Sequence, residues 1–282
     1  MKQSFLMVVL SFCVFSQYAF SQEIVEAPEK YTAHNKGKFY IFWGGNRESY
    51  SKSDIRFKGS DYDFTLYNVE AHDKPKGWHC DYINPLRMTI PQTNLRIGYF
   101  INDHYNISIG VDHMKYVMYQ DKTVKYSGYY PNAGSYNENP TSDELTLHED
   151  FLTFEHTDGL NYVNTEFSRV DDISTLFSKT LNTDKFQINV TEGLGAGILY
   201  PKTNTTLLGK DRYDAFHTAG YGLSAKVGLN FTFFKHFFIQ TELKGGYINM
   251  NDIRTTSNTS DHAEQDFWFF QQIIAFGGIF RL

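Results

Sequence analysis

The longest unbroken alternation of apolar and polar positions runs from Thr218 to Phe233. Its odd positions are Ala219, Tyr221, Leu223, Ala225, Val227, Leu229, Phe231 and Phe233; Gly, Ser, Thr, Asn and Lys226 fill the even ones. A period of two is the signature of a β-strand. A tight turn around Lys235 follows. Phe237, Ile239, Leu243 and Tyr247 then face away from Gln240, Glu242 and Lys244, which predicts a hairpin. Pairing Phe233 with Phe237 sets Lys226 diagonally across from Glu242 on the polar face.

A second hairpin has the same design. Leu95, Ile97, Tyr99 and Ile101 share one face, and Asn94, Arg96 and Gly98 share the other. After a turn at Asn102–His104, Ile107, Ile109 and Val111 oppose Ser108, Gly110 and Asp112. If Asn102 pairs with Asn106, Arg96 lies directly opposite Asp112. Shorter alternations follow Phe39-Ile41-Trp43, Val163-Thr165-Phe167 and Phe186-Ile188-Val190. The last of these would turn Glu192 outward, so a bulge or bend is expected at Gly193. A final strand runs from Phe267 to Leu282, with Trp268, Phe270, Ile274, Phe276, Phe280 and Leu282 on one face and Gln272 as the exception.

These segments predict an all-β fold: a closed antiparallel up-and-down transmembrane β-barrel of about eight strands. Lipid-spanning strands need roughly 9–11 residues, apolar on one side and polar on the other. The connections after the second, fourth and sixth strands are short or moderate. Those after the others span roughly 51–92, 120–158, 201–217 and 251–266. Short periplasmic turns and long extracellular loops match the bacterial outer-membrane arrangement. The rival reading is a soluble secreted barrel or sandwich of the lipocalin kind, which would bury the apolar face instead.

The ends and the composition narrow the compartment. Lys2, the apolar run Phe5–Phe15, and small residues at Ala19 and Ser21 read as a signal peptide over 1–21, cut before Gln22. A periplasmic segment over 22–36 and the barrel over 37–282 would follow. Phe12 stands before Cys13 where a lipobox has a small residue, which argues against lipidation. Losing Lys2 takes the net charge from −6 to −7, which excludes nucleic acid as an expected partner. Cys80, beside Trp78 and His79, is the only cysteine left in the mature chain, so no internal disulfide forms. With 20 Tyr and 25 Phe in a chain of negative mean hydropathy, the aromatics suit interfacial girdles around a polar interior.

The signal peptide, the strand pattern and the terminal apolar strand resemble the small, uncharacterised outer-membrane β-barrel proteins of Gram-negative bacteria. Segments such as Tyr40-Ile41-Phe42-Trp43-Gly44 and Gly110-Val111-Asp112-His113-Met114-Lys115-Tyr116 are similar to ones in that group. The resemblance implies an outer-membrane location and contact with membrane lipids and lipopolysaccharide. It also implies insertion by the barrel-assembly machinery and a monomeric state; it carries no cofactor and no assigned activity.

An eight-stranded barrel is filled by its own side chains, so a wide diffusion pore is not expected. The predicted role is structural or in surface interaction. The alternatives are a lipid-modifying hydrolase or acyltransferase at the extracellular rim, and a narrow channel or small-solute transporter. Arg96, Asp112, Glu166, Lys226 and Glu242 form a predicted interior charge network. Either it satisfies the interior or it lines an ion or proton path. His113 and Lys115 should project outward at the outer leaflet, where cations meet lipid phosphates or simply snorkel. Rim catalysis would need residues such as His217, Asp214, His156, Glu155 and His113 to gather, and no catalytic motif matches. Asp261, His262 and Glu264 would need a turn to bind metal together, so no metal site is assigned.

Overall fold

The computed structural model describes residues 34–77, 91–131 and 143–282. The signal peptide, Cys13, most of the 22–36 segment, and Cys80 with Trp78 and His79 lie outside the described residues.

The described residues form sixteen strands, numbered in chain order, and eight of them make a hydrogen-bonded ring. These are β1 (Phe39–Tyr50), β5 (Thr93–Phe100), β6 (Tyr105–Met114), β11 (Leu160–Asp172), β12 (Phe186–Leu199), β14 (Gly220–Phe233), β15 (Phe237–Arg254) and β16 (His262–Phe280). Neighbours in that order pair antiparallel, and β16 returns to β1 with Phe39 opposite Phe280 and Tyr50 opposite Phe269. No described helix is long and apolar enough to cross a membrane.

Alternation sorts the side chains as the period of two requires. Ile109, Phe167, Leu194, Leu223, Leu243 and Ile274 are exposed on the outside of the ring, and Asn94, Arg96, Ser108, Asn164, Glu166 and Lys226 are buried within it. The β14–β15 register has Phe233 opposite Phe237, as read from the sequence. Its turn is made by Phe234 and Lys235, both at positive φ (53° and 66°), the backbone of a type I′ hairpin. Several ring glycines are required by close approach, Gly98 among them. Gly98 lies directly opposite Tyr40, and a Cβ there would fall 2.2 Å from the Tyr40 ring.

Two registers differ from expectation. Asn94, not Arg96, lies opposite Asp112, because Phe100 pairs with Asn106. The Asn102 side chain accepts from the backbone of His104 (2.9 Å) and Tyr105 (2.8 Å), and the Ile101 N–H donates to the Tyr105 carbonyl (2.9 Å), so the turn is centred on Asp103, one position earlier than the alternation predicts. At Glu192 there is no bulge. β12 pairs in continuous register with both neighbours, and Glu192 stays exposed opposite Arg169 on β11. A cross-strand cation accommodates the charge that a bend was expected to remove.

The long connections are not plain loops. They carry β2 (Ser53–Lys58), β3 (Asp63–Val69), β4 (Ala71–His72), β7 (Val117–Met118), β8 (Thr123–Tyr129), β9 (Glu144–Thr146), β10 (Leu152–Glu155) and β13 (Asn204–Leu207). The far end of β16 leaves β1 and pairs with β2, so β2, β3, β8 and β9 extend the ring's sheet. A separate four-stranded sheet runs β13-β10-β7-β4. Ile55, Phe57, Phe64 and Phe154 from these strands, with Phe151 just before β10 and Tyr116 just past β6, share one apolar core with Tyr162, Ile248, Phe267 and Phe269 of the ring. The connections thus fold into a cap whose core continues into one end of the ring. A smaller aromatic cluster around Tyr40, Phe42, Phe100 and Phe238 fills the other end.

Candidate functional site

Between the two apolar clusters lies a band of charge. Arg96, Lys226 and Lys244 meet Asp112, Glu166 and Glu242, three cations and three anions, all buried. Glu166 is the hub. Its carboxylate lies 3.0 Å from Arg96 Nη2, 2.7 Å from Lys226 Nζ and 2.8 Å from Lys244 Nζ. Lys226 also reaches Glu242 at 2.6 Å, and Arg96 lies 3.7 Å from Asp112.

Neutral side chains add hydrogen bonds around these ion pairs. Asn94 and Asn164 donate to Asp112 at 2.6 and 3.0 Å, Arg96 donates to Asn164 at 2.7 Å, and Gln240 donates to Glu242 at 2.6 Å. A buried charge is tolerable only when paired and hydrogen-bonded in this way. Below the band, Gln187, Asn189, Asn230 and Gln240 line a small polar well that opens beside Lys38 and Lys235.

All five residues of the predicted interior network meet here. Lys244 belongs to the cluster as well; it stood on the same polar face in the sequence, but no pairing pointed to it. Its partner Asp112 lies at 2.7 Å on β6, across the ring interior, and only the hydrogen-bonded ring of strands brings the two together.

The outer-leaflet pair is different. His113 is not presented outward as a free ring: it is 3% exposed, and its Nδ1 lies 2.7 Å from Asn161 Oδ1. The expectation is corrected, because the neighbouring strand and the cap's base cover the end of β6. Lys115 is half-buried beyond the strand, and its backbone carbonyl accepts from the Tyr50 hydroxyl at 2.7 Å. Partial burial and the nearby cations of the cap lower the Lys115 ammonium below the usual lysine range.

The residues considered for rim catalysis do not gather. His217 pairs with Asp252 (2.8 Å), Asp214 with Lys202 and Arg212, and Glu155 with Lys74 and Asn204. His156 is fully buried in the cap against Tyr116 and Phe154, with Nδ1 2.9 Å from Thr203 Oγ1. Burial pushes its pKa down to about 3, so it is a neutral packing residue. Asp261 is buried on Thr256 and Ser260, whereas His262 turns to Glu264 at 3.6 Å. Among the described residues, no group of three or more His, Cys, Asp or Glu is placed to hold a metal ion.

No protein-family model matches the chain, and no curated protein matches it. Among solved structures, it is similar to the outer membrane protein OprG from Pseudomonas aeruginosa, at 12% identity and TM-score 0.37. That alignment covers 89% of this chain and 99% of that one. It is also similar to the outer membrane protease OmpT from Escherichia coli, at 9% identity and TM-score 0.33, covering 86% and 96%. A third is the N-terminal β-barrel domain of OprF from Pseudomonas aeruginosa, at 10% identity and TM-score 0.29, covering 86% and 98%. The likeness is one of mostly-β architecture and carries no activity.

Proposed function

We propose that the chain is an outer-membrane β-barrel whose ring spans the bilayer as a sealed anchor. Its folded external cap is then the working surface, in a structural or surface-interaction role. The observation that carries this reading is the Lys244–Asp112 contact across the ring interior, at the centre of a neutral six-charge cluster. A bore closed by compensated ion pairs and by an aromatic core at each end suits neither a diffusion pore nor a solute channel.

The outer face supports the bilayer assignment. Trp268 lies tilted against Tyr247 (5.3 Å) and Tyr200 stacks on Phe216 (5.4 Å) toward the cap. Phe39 meets Tyr99 (4.9 Å) and Phe186 meets Phe233 (5.2 Å) toward the short turns. From Trp268 to Phe280, β16 advances about 40 Å along its axis. At a tilt near 40° that is roughly 30 Å across a membrane, the spacing of two aromatic girdles around an apolar band.

In this reading residues 1–21 are a cleaved export signal and 22–36 a periplasmic segment. The barrel is inserted by the assembly machinery and works as a monomer among outer-membrane lipids and lipopolysaccharide. The test is twofold. Membrane fractionation should place the protein with outer membranes, released only by detergent. Purified protein in planar bilayers should give no ion conductance above leak. Recovery in the soluble periplasm, or stable open-channel currents, would overturn the proposal.

A further inference from the structure

The polar well at the short-turn end of the ring carries charge of one sign. Its described lining includes three lysines, Lys38, Lys226 and Lys235, and no carboxylate. Lys226 at its floor is matched by Glu166 and Glu242, and Lys235 at the β14–β15 turn by Asp184 at 2.7 Å. Lys38, just before β1, forms no ion pair with a described carboxylate. Burial and the neighbouring cations Arg281 and Lys235 outweigh the pull of Asp103 and lower its ammonium below the usual lysine range. The mouth of the well is therefore left with an excess of positive charge.

An independent observation comes from the wall. Ser168 on β11 and Thr191 on β12 point into the ring from paired strands, Thr191 standing opposite Val170, two residues along from Ser168. Both are 3% exposed, and neither hydroxyl oxygen has a hydrogen-bond partner. Buried hydroxyls without a partner are rare and call for one. The Gln187 side-chain amide is buried too, and it makes no hydrogen bond to a described residue. Asn106, opposite Ser168 on β6, accepts from the Tyr40 hydroxyl at 2.8 Å, which leaves its two amide N–H groups unused.

Unused donors and one uncompensated ammonium thus line the same space. A neutral guest would leave the Lys38 charge unmatched, and a cation would add to it. A tetrahedral oxyanion offers acceptor oxygens in several directions. It can meet hydroxyls, amides and an ammonium from different strands at once, through charge-assisted hydrogen bonds.

We propose that this well binds a small oxyanion of the phosphate or sulfate kind, held by Lys38, Asn106, Ser168, Gln187 and Thr191. A free ion fits better than a lipid headgroup, whose acyl chains would have to thread the mouth, because the well lies inside the ring of strands. The charge cluster closes it from above, so binding there is not passage. The site goes beyond the anchoring role and stands on the ring interior alone.

The test uses the full mature chain, refolded in a detergent free of phosphate groups and held in Tris chloride. Titration calorimetry with sodium phosphate should show one ion per chain. The midpoint of thermal unfolding should rise with the logarithm of free phosphate. Sodium chloride at matched ionic strength should do neither. Lys38→Met, and Ser168→Ala combined with Thr191→Val, should each weaken binding about tenfold or more. Without phosphate their midpoints should match the parent's, since none of the groups removed has a partner in the protein. Lys185→Met, exposed on the same rim but outside the well, should bind as the parent does. Absence of binding by the parent overturns the proposal whatever the variants do. So does undiminished binding in both altered wells, an equal response to chloride, or an equal loss in Lys185→Met, the mark of diffuse rim charge.

Discussion

Lys244 Nζ lies 2.7 Å from Asp112 Oδ2, and the strands that carry them, β15 and β6, are four places apart in a ring of eight. The contact is therefore a strut across the full width of the ring. It holds opposite walls together through one buried ion pair, at the level where Glu166 gathers all three cations.

Removing one end of that strut strands the other. Lys244→Met should cost about 3–5 kcal/mol of unfolding free energy, because Asp112 stays buried with Arg96, 3.7 Å away, as its remaining cation. The double variant Lys244→Met with Asp112→Asn should recover part of the loss. Urea titration in detergent micelles, read by the gel shift between folded and unfolded forms, measures both. A single variant as stable as the parent would deny the strut any structural weight.

Gly98 and Tyr40 form a second cross-strand relationship that one methyl group can break. Gly98→Ala places carbon 2.2 Å from the Tyr40 ring, so either the ring or the strand must move. The expected cost is about 1–3 kcal/mol. Adding Tyr40→Leu should relieve the clash at the price of the Tyr40 hydrogen bond to Asn106. Non-additivity of the two substitutions in a double-mutant cycle is the deciding measurement.

The outward face can be questioned with a charge. Leu243 is 50% exposed and sits near the middle of the apolar band. Leu243→Arg should lower the stability of protein folded into lipid vesicles by about 2–4 kcal/mol. The same change on a water-facing strand would cost little, so equal stability of parent and variant would contradict a lipid-facing β15.

The cap should be acid-sensitive through His156. Its pKa is about 3 when folded and near 6.5 when unfolded, so between those values the unfolded chain binds the extra proton. Stability contributed by the neutral ring is complete above about pH 6.5 and is lost as the pH falls toward 3. His156→Phe should flatten that part of the stability-against-pH curve relative to the parent. Curves that stay parallel would show that the ring charges freely when folded.

The β14–β15 turn holds two ordinary residues in left-handed backbone, Phe234 and Lys235. Phe234→Asn with Lys235→Gly gives the turn the residues its geometry favours and should stabilise the hairpin by about 1 kcal/mol. A lower urea midpoint would mean that the Lys235–Asp184 ion pair at 2.7 Å outweighs the backbone gain.

The ring strands were legible because each exposes one face to a single environment, so Tyr221, Leu223 and Leu229 declare their side by parity alone. Parity also put Lys226 beside Glu242. It could not set the β5–β6 register, which depends on how the Asn102 side chain closes its turn. Nor could it foresee that Arg169 would stand opposite Glu192, since partner choice between strands distant in sequence leaves no local trace. His113 follows the outward parity of β6 yet is covered by tertiary packing. In the sequence the cap reads as loops, because its strands are as short as Ala71–His72 and Val117–Met118, too brief for a period to emerge.

β16 is a shared seam: along 269–280 it zips to β1, and along 262–265 to β2. Both partners precede it by some two hundred residues of chain, so neither the ring nor the cap has a finished border until this one ribbon arrives. Until then β1 and β2 carry bare edges, the kind of template on which stray chains aggregate. For the barrel proposed above, safe passage to the bilayer would depend on something else shielding those edges along the way.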